Sequence, residues 1–577
     1  MRFSMNRKTL HLLLAFAVLL LGGELHTPVQ EASLQRELQE LRQQGVSVRF
    51  LDNAAVEVRD PVSGLKRVKT VQEPSEVEIR AWASARGIPI LEIDPATIDT
   101  NQWSGWYRYW TQVPITNNLG TPTVVGDANR DGKTEVYGPY RQFTSTDFET
   151  RCYQIDSLGV PTLVFNYVPR QGNSQQMVDV DGDSLLEVAF TIGGQLNDFE
   201  QDSRNGFPTR LNFSHERYER GSFGYTGIYL GSLDGDQLID FLYKGSEADS
   251  TDTTRGVGKT YVGEYDSQVN NFRRVWSKKL SATAESSVGG YATGDFDVDG
   301  KTEFIASELF GQVHLVENIG DNSYVETWRD SLPFVNAYYQ GSGDVDIDGK
   351  PEFFVGATMS NGNWTTVYEA DSNNHYSAKL VIHLLSGGSL DDPTYITSDV
   401  DRDGKLECVI SSGADLYVFK SNGDDIYYLW YLRREESRLS MQVHDFNDDG
   451  KKDFMIGKAM TDAQGNIRLY SDIYLSSNLT EVATRESSNA NNLATLEIMP
   501  NPSNPDVAVT YTLPWDATVS LKVFDLLGRD VKTLWDGIQS SGRHSIVWSA
   551  HEFASGIYFV RLQSSTFRLM KKTIVVR

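Results

Sequence analysis

The chain is 577 residues long and carries a formal net charge of −25, from 78 acidic against 53 basic side chains. That length leaves room for about three domains, and the acidity argues against nucleic acid or an anionic membrane surface as a partner. With 11% aromatic residues and 48 glycines, the composition suits an all-β protein rich in turns.

At the N-terminus, Arg2, Arg7 and Lys8 precede an apolar run from Leu10 to Leu21 that is too short to span a bilayer. The pattern predicts a secretory signal peptide over residues 1–25, with an indistinct cleavage point between Gly22 and Glu31, no lipid-bearing cysteine and no transmembrane segment in the mature chain. Residues 32–97 predict a small α+β extension. Its parts are a short amphipathic helix with Leu34, Leu38 and Leu41, a hairpin from Val46 to Arg59 turning at Asp52-Asn53, and a helix capped by Ser75 with Glu78 and stopped at Gly87. A removable propeptide is the alternative reading of this segment.

Between residues 127 and 453 one acidic pattern is written seven times, starting at Asp127, Asp179, Ser232, Asp295, Asp344, Asp399 and Asp445, at intervals of 52, 53, 63, 49, 55 and 46 residues. A period near 50 residues with strand-forming sequence in each copy predicts propeller blades. Copies four, five and six are complete: Asp295, Asp297, Asp299, Glu303; Asp344, Asp346, Asp348, Glu352; and Asp399, Asp401, Asp403, Glu407. Copy one has Asp127, Asn129, Asp131 and Glu135, and copy seven has Asp445, Asn447, Asp449 and Asp453, with an amide oxygen at the third position. Copy two keeps Asp179, Asp181, Asp183 and Glu187 but has Ser184 where glycine is usual; copy three opens on Ser232 and keeps Asp234, Asp236 and Asp240, so it is expected to be the weakest.

Several carboxylates converging on one point repel each other unless a hard cation lies between them. Calcium accepts about six to eight oxygens in flexible geometry and magnesium fewer protein ligands, so up to seven calcium sites are expected. An EF-hand would need an acid at position 12, where Gly138, Phe190, Ala306 and Val355 stand instead. Apolar runs such as Val188-Ala189-Phe190 and Phe353-Phe354-Val355 follow at once, so each pattern is read as the turn of a β-hairpin. These turns resemble the calcium-binding turns of FG-GAP and VCBS repeats, the blade units of integrin-type propellers. The resemblance covers residues 101–480.

Outer hairpins are predicted from Tyr261 to Leu280, Val313 to Leu332 and Leu416 to Arg433, each with a tryptophan strand. After the seventh turn only one such strand follows, around Ile467 to Tyr474, and its aromatic partner stands upstream as Tyr107 to Pro114. The N-terminal strand is therefore expected to complete the last blade and close a seven-bladed ring. Cys152 and Cys408 then lie in non-neighbouring blades and read as buried thiols.

A polar linker, 481–493, leads to residues 494–577, which start at the motif Pro500 to Pro505 and continue as short strands near 507–513, 517–524, 543–548, 556–562 and 567–575. They predict an immunoglobulin-like sandwich. The runs Leu521 to Arg529 and Ala554 to Leu562, with Lys571-Lys572, resemble a type IX secretion C-terminal sorting domain (type A). That resemblance implies contact with the type IX machinery and a secreted or outer-membrane surface location in a Gram-negative bacterium.

For chemistry, no His-Glu-x-x-His, Gly-x-Ser-x-Gly or phosphate loop is present, and His215, His314, His375, His383 and His444 are scattered. The expectation is a calcium-stabilised binding or adhesion protein for a glycan or a protein, without a catalytic residue to name. An exported polysaccharide lyase or hydrolase is the alternative. Trp103, Trp106, Trp110, Tyr427, Tyr428, Trp430 and Tyr431 read as packing before sugar stacking, and the irregular stretch Asn197 to Tyr225 as a recognition loop.

Overall fold

The computed structural model describes residues 37–39, 41, 46–50, 55–59, 66–70, 73–117, 121–142, 149–168, 172–192, 195–215, 228–248, 256–280, 291–337, 339–464, 466–477, 495–499, 506–513, 517–525, 529–540, 542–564 and 568–575. The signal peptide, Leu34, the turn at Asp52-Asn53, the linker 481–493 and the motif from Pro500 to Pro505 lie outside them. The chain divides into two units, Met1–Ser477 and Asn478–Arg577.

In the first unit the acidic turns each join the first two strands of an antiparallel sheet whose strands follow chain order. The first sheet is Val124–Gly126, Thr134–Tyr140, Glu149–Ile155 and Pro161–Val168, and the second is Gly172–Val178, Glu187–Ile192, Gln195–Gln201 and Pro208–His215. The third is Tyr229–Gly231, Asp240–Ala248, Gly256–Asp266 and Asn271–Lys278; the fourth is Thr293–Gly294, Glu303–Ser307, Gln312–Gly320 and Ser323–Ser331. The fifth is Tyr339–Gly343, Glu352–Met359, Gly362–Ser372 and His375–Leu384; the sixth is Thr394–Ser398, Glu407–Ser412, Asp415–Ser421 and Tyr427–Arg434. The seventh, Ser440–His444, Asp453–Thr461 and Ile467–Ser476, takes Tyr107–Val113 as its fourth strand, with Ser471 opposite Val113 and Ser476 opposite Tyr107. These are propeller-like blades.

The second strand of each sheet is apolar on both faces because a neighbouring sheet covers each face: the patterns at Glu187–Ile192 and Glu352–Met359 are buried throughout. One shared core runs between first and second sheets through Tyr137, Tyr167, Phe190 and Phe199, and another between fourth and fifth through Ile305, Leu315, Phe353 and Tyr368. Val113, Met455 and Ile473 of the seventh sheet pack with Val136, Tyr153 and Ile155 of the first. Trp106 stacks on Tyr431 and sits 5.0 Å from Trp430, so these aromatics fill the boundary between sixth and seventh sheets. Cys152 and Cys408 are free and buried.

The N-terminal extension belongs to the same unit. Ser47–Phe50 and Ala55–Arg59 pair antiparallel as the hairpin pattern anticipates, and Lys66–Thr70 adds a third strand that it does not. Helix α1, Glu76–Arg86, has the full capping box of Ser75 and Glu78 and stops at Gly87, at φ 71°. Ile90–Ile93 then lies parallel to His375–Leu384 as a fifth strand of the fifth sheet. The Glu73 carboxylate accepts hydrogen bonds from the backbone N–H and hydroxyl of Ser360, and Asn336 bonds both backbone groups of Thr70.

One expectation needs correction. Within Asn197 to Tyr225, residues up to His215 form the outer hairpin of the second sheet, and 216–227 lie outside the described residues. The polar strand Gln195–Gln201 hides its pairing from a hydrophobic pattern, since Asp198 and Glu200 are themselves buried.

The second unit has two antiparallel sheets. One is Thr495–Met499, Asp506–Leu513 and Gly542–Ser549; the other orders Asp530–Gln539, Ala517–Phe524, Gly556–Gln563 and Arg568–Val575 side by side. Val507, Val509, Tyr511, Leu521, Val523, Trp548 and Val560 form its core. Asp530–Gln539 escapes the sequence reading because no residue in it is buried.

Candidate metal centres

Each acidic turn is held by hydrogen bonds that its own spacing allows. The closing acid accepts from the backbone N–H seven residues earlier, at the turn's second position, in all seven copies: Glu135 from Ala128, Glu187 from Val180, Asp240 from Leu233, Glu303 from Phe296, Glu352 from Val345, Glu407 from Val400 and Asp453 from Phe446, at 2.6 to 3.0 Å. The first aspartate accepts from the sixth position, as Asp295 does from Gly300 at 2.9 Å and Asp445 from Gly450. The third acid accepts two residues ahead, as Asp131, Asp348 and Asp403 do from Lys133, Lys350 and Lys405. Asn129 and Asn447 turn their side-chain oxygens to the N–H of Asp131 and Asp449.

The backbone pays with two left-handed residues per turn. In five copies these are positions four and six, for example Val298 at φ 60° with Gly300 at φ 90°. In copies two and three the glycine moves to position four (Gly182, Gly235), and Ser184 and Gln237 take the left-handed conformation at position six, at φ 73° and 77°. Ser184 thus adopts the same geometry that glycine serves elsewhere.

In the fourth and first turns the acids of the pattern converge. Asp295, Asp297, Asp299 and Glu303 place one oxygen each within 4.8 Å of one another, and so do Asp127, Asp131 and Glu135. The closing acids are buried, and burial pushes their carboxyls up: Glu135 and Asp453 to about 7, Glu303 and Glu352 to about 8, Glu187 to about 9. Asp297, Asp295 and Asp299 add their repulsion at Glu303. A buried carboxylate needs both oxygens satisfied. Gln154 supplies the second bond to Glu135, the Tyr427 hydroxyl to Glu352 and the Ser476 N–H to Asp453. Glu187 Oε1, Asp240 Oδ1, Glu303 Oε1 and Glu407 Oε1 have no hydrogen-bond partner, nor do Asp344 Oδ1 and Asp399 Oδ1. Such all-oxygen clusters with orphaned buried atoms fit a hard divalent cation.

Other residues at these turns are invisible to the repeat pattern. The closing acid faces Gln154, Glu200, Glu264 and Glu317 across the strand pair in the first four sheets. The spacing runs from 13 residues (Glu187 to Glu200) to 24 (Asp240 to Glu264), because the hairpins differ in length, so only register reveals them. Neighbouring sheets contribute as well. Asn322, Asn374 and Asp425, each at the turn of the next sheet's outer hairpin, donate their backbone N–H to Asp234, Asp297 and Asp346. Asp346 also groups with Glu369, Asp424 and Asp425. His215 meets Asn271, His314 meets Glu326, and His383, stacked on Trp364, groups with Glu76 and Glu92 of the N-terminal extension and not with an acidic turn.

Residues 497–576 match the family described as a secretion system C-terminal sorting domain. The C-terminal unit is a sorting domain. It directs the protein through type IX secretion to the cell surface or extracellular space, and among the described residues no helix is long and apolar enough to cross a membrane. No curated protein matches the chain. Among solved structures it is similar to PorZ, an essential bacterial surface component of the type-IX secretion system of Porphyromonas gingivalis, at 14% identity over 80% of this chain and 60% of that one, with a TM-score of 0.35. The chain thus spans less than two thirds of PorZ. It is also similar to the biofilm matrix protein Bap1 of V. cholerae (9% identity, 65% and 92% coverage, TM-score 0.36) and to an Agrocybe aegerita protein that recognises non-reducing terminal N-acetylglucosamine (14%, 62% and 92%, 0.33). At these scores the likenesses carry no argument about fold or function.

Proposed function

We propose that residues 101–480 form a seven-bladed, calcium-stabilised propeller of FG-GAP/VCBS type, exported ahead of an immunoglobulin-like sorting domain at 494–577, and that it binds a glycan or a protein outside the cell. The packing of the seventh sheet on the first supports closure, and the buried oxygens of Glu187, Glu303 and Asp344 without partners support calcium. The N-terminal extension is a permanent part of the fold, as its parallel strand on the fifth sheet supports.

The binding reading rests on the tips of two adjacent turns. Val298 and Ile347 are β-branched, hold φ at 60° and 63°, and are 57% and 49% exposed. A β-branched residue is disfavoured both in that conformation and in water, and such strain concentrates where a surface has work to perform. Binding of the full chain to a glycan array, with a reducing-end release assay on the retained polysaccharides, tests it. Retention without product, weakened in Val298→Gly with Ile347→Gly, is expected. Product release instead would favour an exported polysaccharide-degrading enzyme, and retention unchanged by the double substitution would remove these tips from the surface.

A further inference from the structure

The sequence ranks the sixth turn with the complete ones and the third, opened by Ser232, as the weakest. Across the strand pair the two differ in the opposite sense. In the sixth sheet Lys420 stands next to Phe419, which faces Cys408, and its side chain is only 7% exposed. Its ammonium pairs with Asp401, lies 2.8 Å from Asp403 and 3.7 Å from Glu407 Oε1. Three of that turn's four acids therefore already share a cation that the chain itself supplies, while Glu407 Oε1 and Asp399 Oδ1 accept no hydrogen bond.

In the third sheet the residue opposite the closing Asp240 is Glu264. The fourth and fifth turns carry a lysine at position seven that reaches the corresponding acid, Lys301 to Glu317 at 2.7 Å and Lys350 to Glu369 at 2.9 Å. Position seven of the third turn is Leu238, which is 43% exposed, so Glu264 has no such lysine. Asp321, from the outer hairpin of the fourth sheet, joins it: Asp234, Asp236, Glu264 and Asp321 each place an oxygen within 4.8 Å of the others. Among the described residues none of these four, nor Asp240, forms an ion pair. Asp240 is 1% exposed and its Oδ1 has no hydrogen-bond partner; the charges around it are Asp234, Glu264 and Asp236, and the Tyr324 hydroxyl is the neutral polar group beside it. Asn322 ties the sheets together here, donating its N–H to Asp234 at 2.9 Å and its amide to Glu264 at 2.8 Å, while its own Oδ1 is buried without a partner. Four converging carboxylates and two buried oxygens without a hydrogen-bond partner suit one hard cation, and among the described residues no basic side chain pairs with them.

We propose that the residue facing the closing acid decides where metal goes: the third turn, completed by Glu264 and by Asp321 of the next sheet, is a calcium site shared between two sheets, whereas the sixth turn holds the Lys420 ammonium in place of a metal. This rests on the calcium reading above. The two readings fail separately.

Bound calcium in the dialysed full chain, counted by elemental analysis, tests it with three variants. Glu264→Lys imitates the sixth turn and is expected to lose one ion per chain; Lys420→Gln is expected to gain one; Ser232→Ala is expected to keep the wild-type number. Melting is the second readout, which also covers a variant that folds poorly without metal. In chelator Lys420→Gln is expected to melt below wild type and to recover in calcium, and Glu264→Lys to melt above it with a smaller calcium gain. Wild type free of calcium would overturn the calcium reading itself. Calcium present but unchanged in number by Glu264→Lys and Lys420→Gln, loss of an ion in Ser232→Ala, or no recovery of Lys420→Gln in calcium would overturn this inference alone.

Discussion

Single residues in this protein trade conformational cost for position. Val298 and Ile347 sit at the left-handed fourth place of their turns, which arginine fills in the first and sixth copies. Left-handed backbone costs a residue with a side chain about 1–2 kcal/mol, and glycine returns part of that gain through its freer unfolded state. Val298→Gly and Ile347→Gly are each expected to raise stability by about 1 kcal/mol, read as a shift of the urea midpoint at constant slope. A drop in either midpoint would mean that the exposed side chain packs on something that holds the turn.

At the scale of elements, the extension and the closing strand show the same economy: each covers an edge that the sheets would otherwise leave open. Ile90–Ile93 caps the outer edge of the fifth sheet, and Tyr107–Val113 that of the seventh. The extension is held by a few charged hydrogen bonds, chiefly those Glu73 accepts from Ser360 and Ser389. Replacing a charged acceptor and leaving its donors without it costs about 1–3 kcal/mol. Glu73→Ala is therefore expected to speed hydrogen exchange across residues 66–93 while the sixth sheet keeps wild-type protection. Equal exchange throughout would show that apolar packing around Ile79 and Ala83 suffices.

For the whole molecule, the acidity of the chain and its export belong together. Much of the chain's acidity, behind a net charge of −25, stands in turns whose repulsion a divalent ion would relieve. A site filled at a hundred times its dissociation constant adds about 2.7 kcal/mol to the folded state. Chelation with EDTA is expected to lower the melting temperature by many degrees, and calcium to restore it; an unchanged melt would exclude structural metal. Export depends on the second unit, with its own core around Val509, Leu521 and Trp548. Deleting residues 494–577 is expected to leave a folded first unit in the periplasm, detected by cell fractionation. Surface display of that truncation would contradict the sorting role.

The acidic turns, the strands after them, the capped helix and the closing strand were all legible in the sequence, because each is written within a few residues or within one repeat. A bond from a closing acid to the N–H seven residues earlier needs no knowledge of the fold, and neither does Ser75 capping with Glu78. What lies across a hairpin or on the next sheet cannot be read that way. Glu264, Lys420, Asp321 and Asn322 meet the turns only after hairpins of unequal length set the register and sheets pack face to face. Polar strands such as Gln195–Gln201 and Asp530–Gln539 pair through their backbones with no apolar alternation to announce them. Local spacing thus determined where acids cluster, and tertiary contact alone decided which charges stand beside them, since a carboxylate's demand for a cation depends on every neighbour within a few ångströms whatever its place in the chain.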